Sequence, residues 1–108
     1  MTAVPRGRLH PPDDAPAAGE QIESVALLSG IRVEQILSGE LTGPADYLQD
    51  HDEWVVVLSG GAVLEIDGSE VRLSTGEWIV LPAGIPHRLV WTDRGTNWLA
   101  VHAPSPTG

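Results

Sequence analysis

The stretch that decides the fold runs from Gly76 to His87 and reads Gly-Glu-Trp-Ile-Val-Leu-Pro-Ala-Gly-Ile-Pro-His. A glycine precedes a short apolar run, a turn rich in proline and glycine follows it, and a histidine opens the next apolar run. Glycine and proline are the strongest local turn signals, and short runs with β-branched residues between them are typical of strands. The pattern therefore predicts two strands joined by a tight turn, with His87 at the start of the second.

Short apolar runs separated by glycine turns continue through the rest of the chain from residue 21 onward. Asp67-Gly68 is a strong signal for a two-residue hairpin turn, and 39–45 is predicted to be a turn as well. The predicted strands are 24–29, 31–37, 54–58, 62–66, 70–73, 77–81, 87–91 and 98–102. Short strands at close spacing, with no segment of helical period, predict an all-β sandwich or barrel.

The length and composition limit the domain organisation. A chain of 108 residues is large enough for one domain. Residues 1–20 are rich in Pro, Ala, Gly and Asp, which predicts a flexible arm before a barrel over 21–103 and a tail over 104–108. No apolar run is long enough to span a membrane, and none follows Arg6 and Arg8 as a secretory signal requires. We therefore expect a cytoplasmic protein.

The charge balance limits the partners. Fifteen acidic residues stand against six basic ones, all arginine, and the net charge is −9. Such a surface repels phosphate backbones, so nucleic acid is not an expected partner. The chain has no cysteine, which excludes disulfides, thiolate metal ligands and cysteine nucleophiles. The same charge disfavours strongly anionic ligands.

Two segments together resemble the two motifs of the cupin superfamily. Gly76 to His87 has the pattern G-x5-P-x-G-x2-H, and Glu53 is followed by Gly60 in the pattern E-x6-G. The resemblance covers residues 43–102 and implies a single cupin double-stranded β-helix, or jelly-roll, barrel. Because small cupins commonly dimerise through an apolar sheet face, it also implies a homodimer, with Trp54 and Trp78 at the interface or packed between sheets.

The resemblance also implies a metal site, which is incomplete in this chain. Cupins commonly hold one divalent Fe, Mn, Ni, Cu or Zn ion with three histidines and a glutamate. Glu53 matches that glutamate and His87 matches the histidine of the second motif. The histidine pair of the first motif is missing, because the two spacings that the family uses place Tyr47 and Gln49, or Asp46 and Leu48, at its positions.

A closer resemblance concerns the segments around these missing histidines. Residues 47–54 read Tyr-Leu-Gln-Asp-His-Asp-Glu-Trp, and residues 98–102 read Trp-Leu-Ala-Val-His. Both are similar to a largely uncharacterised subgroup of small cupins. Loss of the histidine pair is then a trait of that subgroup, and the resemblance supplies no substrate.

Three interpretations of Glu53 and His87 remain open, because a carboxylate and an imidazole inside an apolar barrel need a partner. The first is a weak metal site with the ligands Gln49, Glu53, His87 and either His51 or His102. The second is a metal-free acid/base pair with Tyr47 as a further proton donor, as in the sugar-nucleotide epimerases of the cupin class. The third is a hydrogen-bonded pair that only supports the barrel.

Three further residues are candidates for the site. His51, between Asp50 and Asp52, is either an exposed loop histidine or a rearranged metal ligand. Trp91 lies four residues after His87, where the second motif has a cavity-facing residue, and is predicted to line the ligand pocket. His102 ends the last predicted strand and faces either the cavity, as a ligand-binding residue, or solvent.

The resemblance implies a small organic ligand bound in the barrel, and two classes of function fit these residues. One is an enzyme of the isomerase, cyclase, lyase or dioxygenase type, in which a metal or the Glu53/His87 pair moves a proton or polarises a carbonyl. The other is a metal-free, non-catalytic binding or accessory protein. The fold does not choose between them, because one fold hosts many unrelated activities.

Overall fold

The computed structural model describes residues 3–106, which form two antiparallel sheets packed face to face. The outer ends of the predicted arm and tail, residues 1–2 and 107–108, lie outside the described residues. The strands are β1 Glu20–Leu28, β2 Ile31–Ser38, β3 Ala45–Tyr47, β4 Glu53–Ser59, β5 Gly61–Ile66, β6 Ser69–Ser74, β7 Trp78–Leu81, β8 His87–Thr92 and β9 Thr96–His102. A 3-10 turn, Pro12–Asp14, precedes them. Within residues 3–106 no helix has the length and apolar character needed to cross a membrane.

The two sheets confirm the all-β jelly-roll prediction. One sheet has the strand order β1-β2-β9-β4-β7 and the other β3-β8-β5-β6. The core lies between them and contains Val55, Val57, Leu64, Leu89 and Trp98, each buried. The predicted hairpin turn is present, since Asp67 and Gly68 have φ angles of 49° and 83°, the left-handed pair that a type I′ turn requires.

The short strand β3 was not predicted from the sequence, and it shares only Ala45 with the predicted turn over 39–45. Its three residues pair with β8, and Asp46 lies opposite Arg88. The Arg88 Nε donates a hydrogen bond to Asp46 Oδ1 at 2.7 Å, and Asp46 in turn raises the pKa of Arg88. Three residues are too few to show a strand period, so only this pairing identifies β3. The same register places Tyr47 opposite His87.

The arm before β1 lies along the outer face of the five-stranded sheet. The Gln35 side-chain amide accepts a hydrogen bond from the His10 backbone N–H at 2.9 Å and donates one to the His10 carbonyl at 2.8 Å. Gln35 and Leu37 lie on either side of Ile36, which pairs with Trp98 and packs against the core. Because side chains alternate along a strand, Gln35 and Leu37 face away from the core. They are nevertheless 1% and 0% exposed, because the arm covers them. Whether the arm moves stays a prediction.

Candidate functional site

A cavity of about 80 Å³ lies at one end of the barrel, where β3 and β9 end and β4 and β8 begin. The register places Glu53 opposite His102 and Tyr47 opposite His87. Its polar lining consists of Glu20, Tyr47, Gln49, Glu53, His87 and His102, and its apolar lining consists of Leu64, Leu81, Leu89 and Trp98. Five of the residues predicted from the sequence therefore meet in one cavity.

Glu53 and His87 line this cavity without a hydrogen bond between them. Glu53 is 6% exposed and makes no hydrogen bond to any described residue, and its closest ionic contact is His102 Nδ1 at 3.8 Å. His87 is 7% exposed, and its Nδ1 donates a long hydrogen bond to the Ile85 carbonyl at 3.5 Å. A carbonyl only accepts, so in this tautomer Nε2 is left as a free acceptor.

Tyr47 is held beside His87 by a polar network that sequence reasoning missed. The two rings stack with centroids 5.4 Å apart and an interplanar angle of 15°. The Tyr47 hydroxyl donates to Glu20 Oε1 at 3.1 Å, and the Ser38 hydroxyl donates to Glu20 Oε2 at 2.8 Å. The Trp98 indole N–H donates to Ser38 Oγ at 2.9 Å. Glu20 was assigned to the arm, and no local signal marks it, because the β1–β2 pairing alone brings it here.

The environment of Tyr47 keeps its phenol protonated. Desolvation, followed by the negative charge of Glu20, its hydrogen bond and the charge of Glu53, raises the pKa of Tyr47 from 10.0 to about 12. At neutral pH the side chain is therefore a hydrogen-bond donor rather than a base.

We expect the tyrosinate absorbance of the folded protein to appear with a midpoint near pH 12 rather than 10.0. Tyr47 is the only tyrosine, so an ultraviolet titration reports on this site alone. Glu20→Gln should lower the midpoint, and Glu65→Gln, at an exposed position, should not. Because the pKa of Tyr47 is higher in the folded protein than in the unfolded chain, protonated Tyr47 contributes to the free energy of unfolding. This contribution is complete below pH 10.0 and is lost as the pH rises toward about 12. A wild-type midpoint near 10.0 with the circular dichroism spectrum intact would contradict the network.

Gln49 is fixed by the turn between β7 and β8. Its carbonyl accepts a hydrogen bond from Gly84 N at 2.8 Å, and the Asp52 carboxylate accepts one from Ala83 N at 2.8 Å. Gly84 takes a φ of 76° there, which is why this turn needs glycine. Gln49 lines the cavity, and its side-chain Oε1 is buried and has no hydrogen-bond partner among the described residues.

His51 and His102 form a hydrogen-bonded pair behind the cavity. Their Nε2 and Nδ1 atoms are 2.9 Å apart, and His51 Nδ1 lies 3.0 Å from Asp50 Oδ1. Hydrogen bonds from Ser105 and His51 lower the pKa of Asp50, so its carboxylate accepts. The side chain of His51 is 13% exposed and does not line the cavity. His51 is thus neither the exposed loop histidine nor a free ligand.

His102 faces the cavity and not the solvent, with 5% of its surface exposed. Its Nε2 lies 2.8 Å from Glu34 Oε1, but off the N–H direction, so the contact is ionic and this nitrogen makes no hydrogen bond. The two rings thus form a continuous series of polar contacts that runs from Asp50 through His51 and His102 to Glu34. The pair therefore links a surface carboxylate to the wall of the cavity.

The described residues do not fit the metal site that the fold family implies. No three His, Asp or Glu side chains within residues 3–106 converge in a way that could hold a metal ion. Both nitrogens of His51 are used by Asp50 and His102, and those of His102 contact His51 and Glu34. Within the predicted ligand set, only Glu53, His87 and the Gln49 amide therefore still have a free acceptor atom. A glutamine oxygen is a weak ligand for transition metals.

Trp91 lies outside the cavity, which corrects its predicted role. In the β5–β8 pairing Val63 lies opposite Trp91 and Leu64 opposite Leu89, so Val90 is an extra residue in β8. A bulge of this kind reverses the side-chain alternation beyond it. Trp91 is therefore 45% exposed, and Trp98, which was predicted only as part of a strand, is the tryptophan that lines the cavity.

The fold and the cavity together define a small, single-barrel jelly-roll protein with ionisable side chains at one end of the barrel. The chain belongs to the cupin family, since the cupin domain matches residues 32–102. The matched range includes every candidate side chain of the cavity except Glu20.

Several known proteins are similar to this chain. An uncharacterized protein of Aquifex aeolicus is 30% identical over 90 residues, which cover 82% of this chain and 74% of the relative. A candidate mannose-6-phosphate isomerase from Ralstonia eutropha is 33% identical with a TM-score of 0.76, covering 91% of this chain and 99% of the other. An RmlC-like cupin from Shewanella frigidimarina has a TM-score of 0.71 at 13% identity over 87% of both chains, a likeness of fold alone.

Proposed function

We propose that the protein binds a small organic molecule in the cavity and that Glu53 and His87 accept hydrogen bonds or a proton from it. The observation that carries the proposal is Glu53, which is 6% exposed and makes no hydrogen bond to a described residue. A buried carboxylate costs several kcal/mol unless it is paired and hydrogen-bonded. Ionisable groups that are buried in a cavity without a hydrogen-bond partner are typical of functional sites.

Proton transfer of the isomerase type is the reaction that this arrangement supports best. His87 Nε2 is free to accept a proton, and the Tyr47 phenol, stacked on the same ring, stays protonated. A single base that takes a proton from one atom of the ligand and returns it to another can carry out this transfer, and Tyr47, whose hydroxyl donates to Glu20, packs against the ring of that base. No step passes through a metal. Binding without catalysis is the alternative, and a cytoplasmic location remains part of the proposal.

The lining does not support a sugar phosphate, the kind of substrate in the name of the Ralstonia relative. Glu20 and Glu53 line the cavity, and no arginine within residues 3–106 does. Arg88, from the neighbouring strand, is paired with Asp46 at the surface. Phosphate groups are bound by arginine, lysine or backbone N–H groups, so this ligand would meet only repulsion from the two glutamates.

Ligand-observed NMR with a panel of small cationic, neutral and anionic compounds tests the proposal. We expect at least one class to bind the wild type, and to bind about tenfold or more weakly to Glu53→Gln and His87→Asn. Trp91→Phe, outside the cavity, should bind as the wild type does, and so should protein dialysed against a chelator. Failure of every class to bind, or binding by both variants equal to that of the wild type, would remove the cavity as a ligand site, and equal binding by His87→Asn alone would remove His87 from it.

Exchange with deuterated solvent separates the enzyme from the binding protein. If the protein is an isomerase-type enzyme, a bound carbonyl compound should gain deuterium from D2O at the carbon next to the carbonyl. His87→Asn should abolish this exchange. Binding without any exchange would favour the non-catalytic alternative.

We also propose that the partner on the outer face of the five-stranded sheet is a second copy of this chain. Trp54 and Trp78 pack with ring centroids 6.2 Å apart, and Trp78 and the neighbouring Val80 are 59% and 48% exposed. A groove of about 240 Å³ next to them is lined mainly by apolar residues such as Ile31 and Val101. Because each chain carries a charge of −9, two copies can approach closely only through such an uncharged face.

A charged substitution at Trp78 tests this dimer. We expect Trp78→Glu to raise the dimer dissociation constant about 30-fold or more, since a central tryptophan contributes about 2 kcal/mol or more. Trp91→Glu is the matched control, because Trp91 is 45% exposed on the other sheet and carries the same charge change. Analytical ultracentrifugation measures both. A monomeric wild type, or equal effects of the two variants, would contradict the proposal.

A further inference from the structure

The cavity contains more hydrogen-bond acceptors than donors. Glu53 makes no hydrogen bond to a described residue, and the buried Gln49 Oε1 has no partner among them. His87 Nε2 is a third free acceptor while Nδ1 donates to Ile85. The Tyr47 hydroxyl is a donor, but its hydrogen is already used on Glu20. A ligand that satisfies this cavity must therefore bring hydrogen-bond donors of its own.

The charges around the cavity favour a cation. With imidazoles counted as neutral, as in the net charge of −9, the lining residues that the structure describes carry the two negative charges of Glu20 and Glu53 and no positive charge. The charges of these two glutamates are among the causes that raise the pKa of Tyr47 to about 12. Two further carboxylates, those of Asp50 and Glu34, contact His51 and His102 behind the cavity wall.

The size and the walls of the cavity limit the ligand further. A volume of about 80 Å³ is several times the roughly 10–15 Å³ needed for one water molecule, which suits a head group with a short chain. Leu64, Leu81, Leu89 and Trp98 form the apolar walls. Apolar walls favour a ligand with an aliphatic part.

We propose that the ligand of this cavity is a small organic cation with N–H donors, an ammonium group on a short aliphatic chain. The inference rests on the proposed function, since it names the class of molecule that the same cavity binds. The ammonium group donates hydrogen bonds to Glu53 and to Gln49 Oε1, and the aliphatic part contacts the leucine walls. His87 Nε2 then faces the chain next to the ammonium group as the remaining acceptor.

Three probes of similar size but different charge test the inference. Propylammonium, 1-propanol and propionate are titrated into the full chain near neutral pH, and the shift of the Trp98 indole N–H signal in heteronuclear NMR gives each dissociation constant. Trp98 is 4% exposed and lines the cavity, so its signal reports on this site. We expect propylammonium to bind at least about tenfold more tightly than 1-propanol, and propionate not to bind.

Isosteric variants show whether the acceptors cause this preference. Glu53→Gln should weaken propylammonium binding about tenfold or more, whereas Glu65→Gln makes the same change in net charge at an exposed position and should have no effect. Gln49→Met, which replaces the amide and its unpartnered oxygen with a thioether of similar shape, provides a second test if Glu53→Gln does not fold. Equal binding of propylammonium and 1-propanol would overturn the cation inference and leave the proposed function standing. No binding by any probe would overturn both.

Discussion

Replacing Trp98 with alanine is expected to lower the free energy of unfolding by about 3–5 kcal/mol. The side chain is 4% exposed and packs in the core between the sheets with Val57 and Leu64. Its removal leaves a void that the surrounding strands cannot close, and it removes the hydrogen bond from the indole to Ser38 at 2.9 Å. Trp98→Phe should cost less, because it keeps most of the packing and loses the hydrogen bond.

Trp91→Ala is the matched control for this prediction. Trp91 is 45% exposed on the outer face, and we expect a loss of about 1 kcal/mol or less. Urea unfolding followed by circular dichroism measures all three variants, at one protein concentration because a dimer would make the midpoint depend on it. If Trp91→Ala cost as much as Trp98→Ala, the bulge in β8 would be misplaced and the cavity wall would have to be reassigned.

Replacing Gly60 with alanine is expected to lower the free energy of unfolding by about 3 kcal/mol or more, from two additive causes. Gly60 has a φ of 90°, which strains any residue with a side chain, and a Cβ there would lie 2.5 Å from Thr96 Oγ1 and 2.8 Å from Thr96 Cα. Thr96 is fully buried and its hydroxyl donates to the Asp93 carbonyl at 2.6 Å. It therefore has no room to move.

Gly68→Ala separates these two causes. Gly68 has nearly the same φ, 83°, but a Cβ there would meet nothing within 4 Å. Only the backbone strain remains, which costs about 1–2 kcal/mol. The excess loss in Gly60→Ala, measured in the same urea experiment, is the clash with Thr96. Equal losses in the two variants would mean that the strands around Thr96 can separate without cost.

The fold could be predicted from the sequence because its signals are local. The hairpin at Asp67-Gly68 needs only two residues that tolerate positive φ. The motif ending at His87 marks two strands and the turn between them. The placement of Glu53 and His87 inside the barrel followed from the resemblance to the cupin motifs and is consistent with strand alternation. The short strand β3 escaped notice, since three residues carry no period and its register depends on Arg88.

The contacts of the site could not be predicted, because they join residues that are distant in the sequence. Glu20 meets Tyr47 across 27 positions, and His51 meets His102 across 51. The sequence around either residue of a pair contains no feature that indicates its partner. Both pairs arise where strands from different parts of the chain end side by side, so only the strand pairing brings them into contact.

The sequence by itself determined the architecture, the boundaries of every strand except β3 to within a few residues, and two ionisable side chains inside the barrel. The tertiary structure alone decided which groups surround them: Glu20 on Tyr47, His102 in the cavity wall, and Trp98 in the place predicted for Trp91. The physical reason is that one extra residue in a strand, Val90 in β8, reverses every side chain after it. Such an insertion is specified by the pairing with β5 and not by the residues of β8.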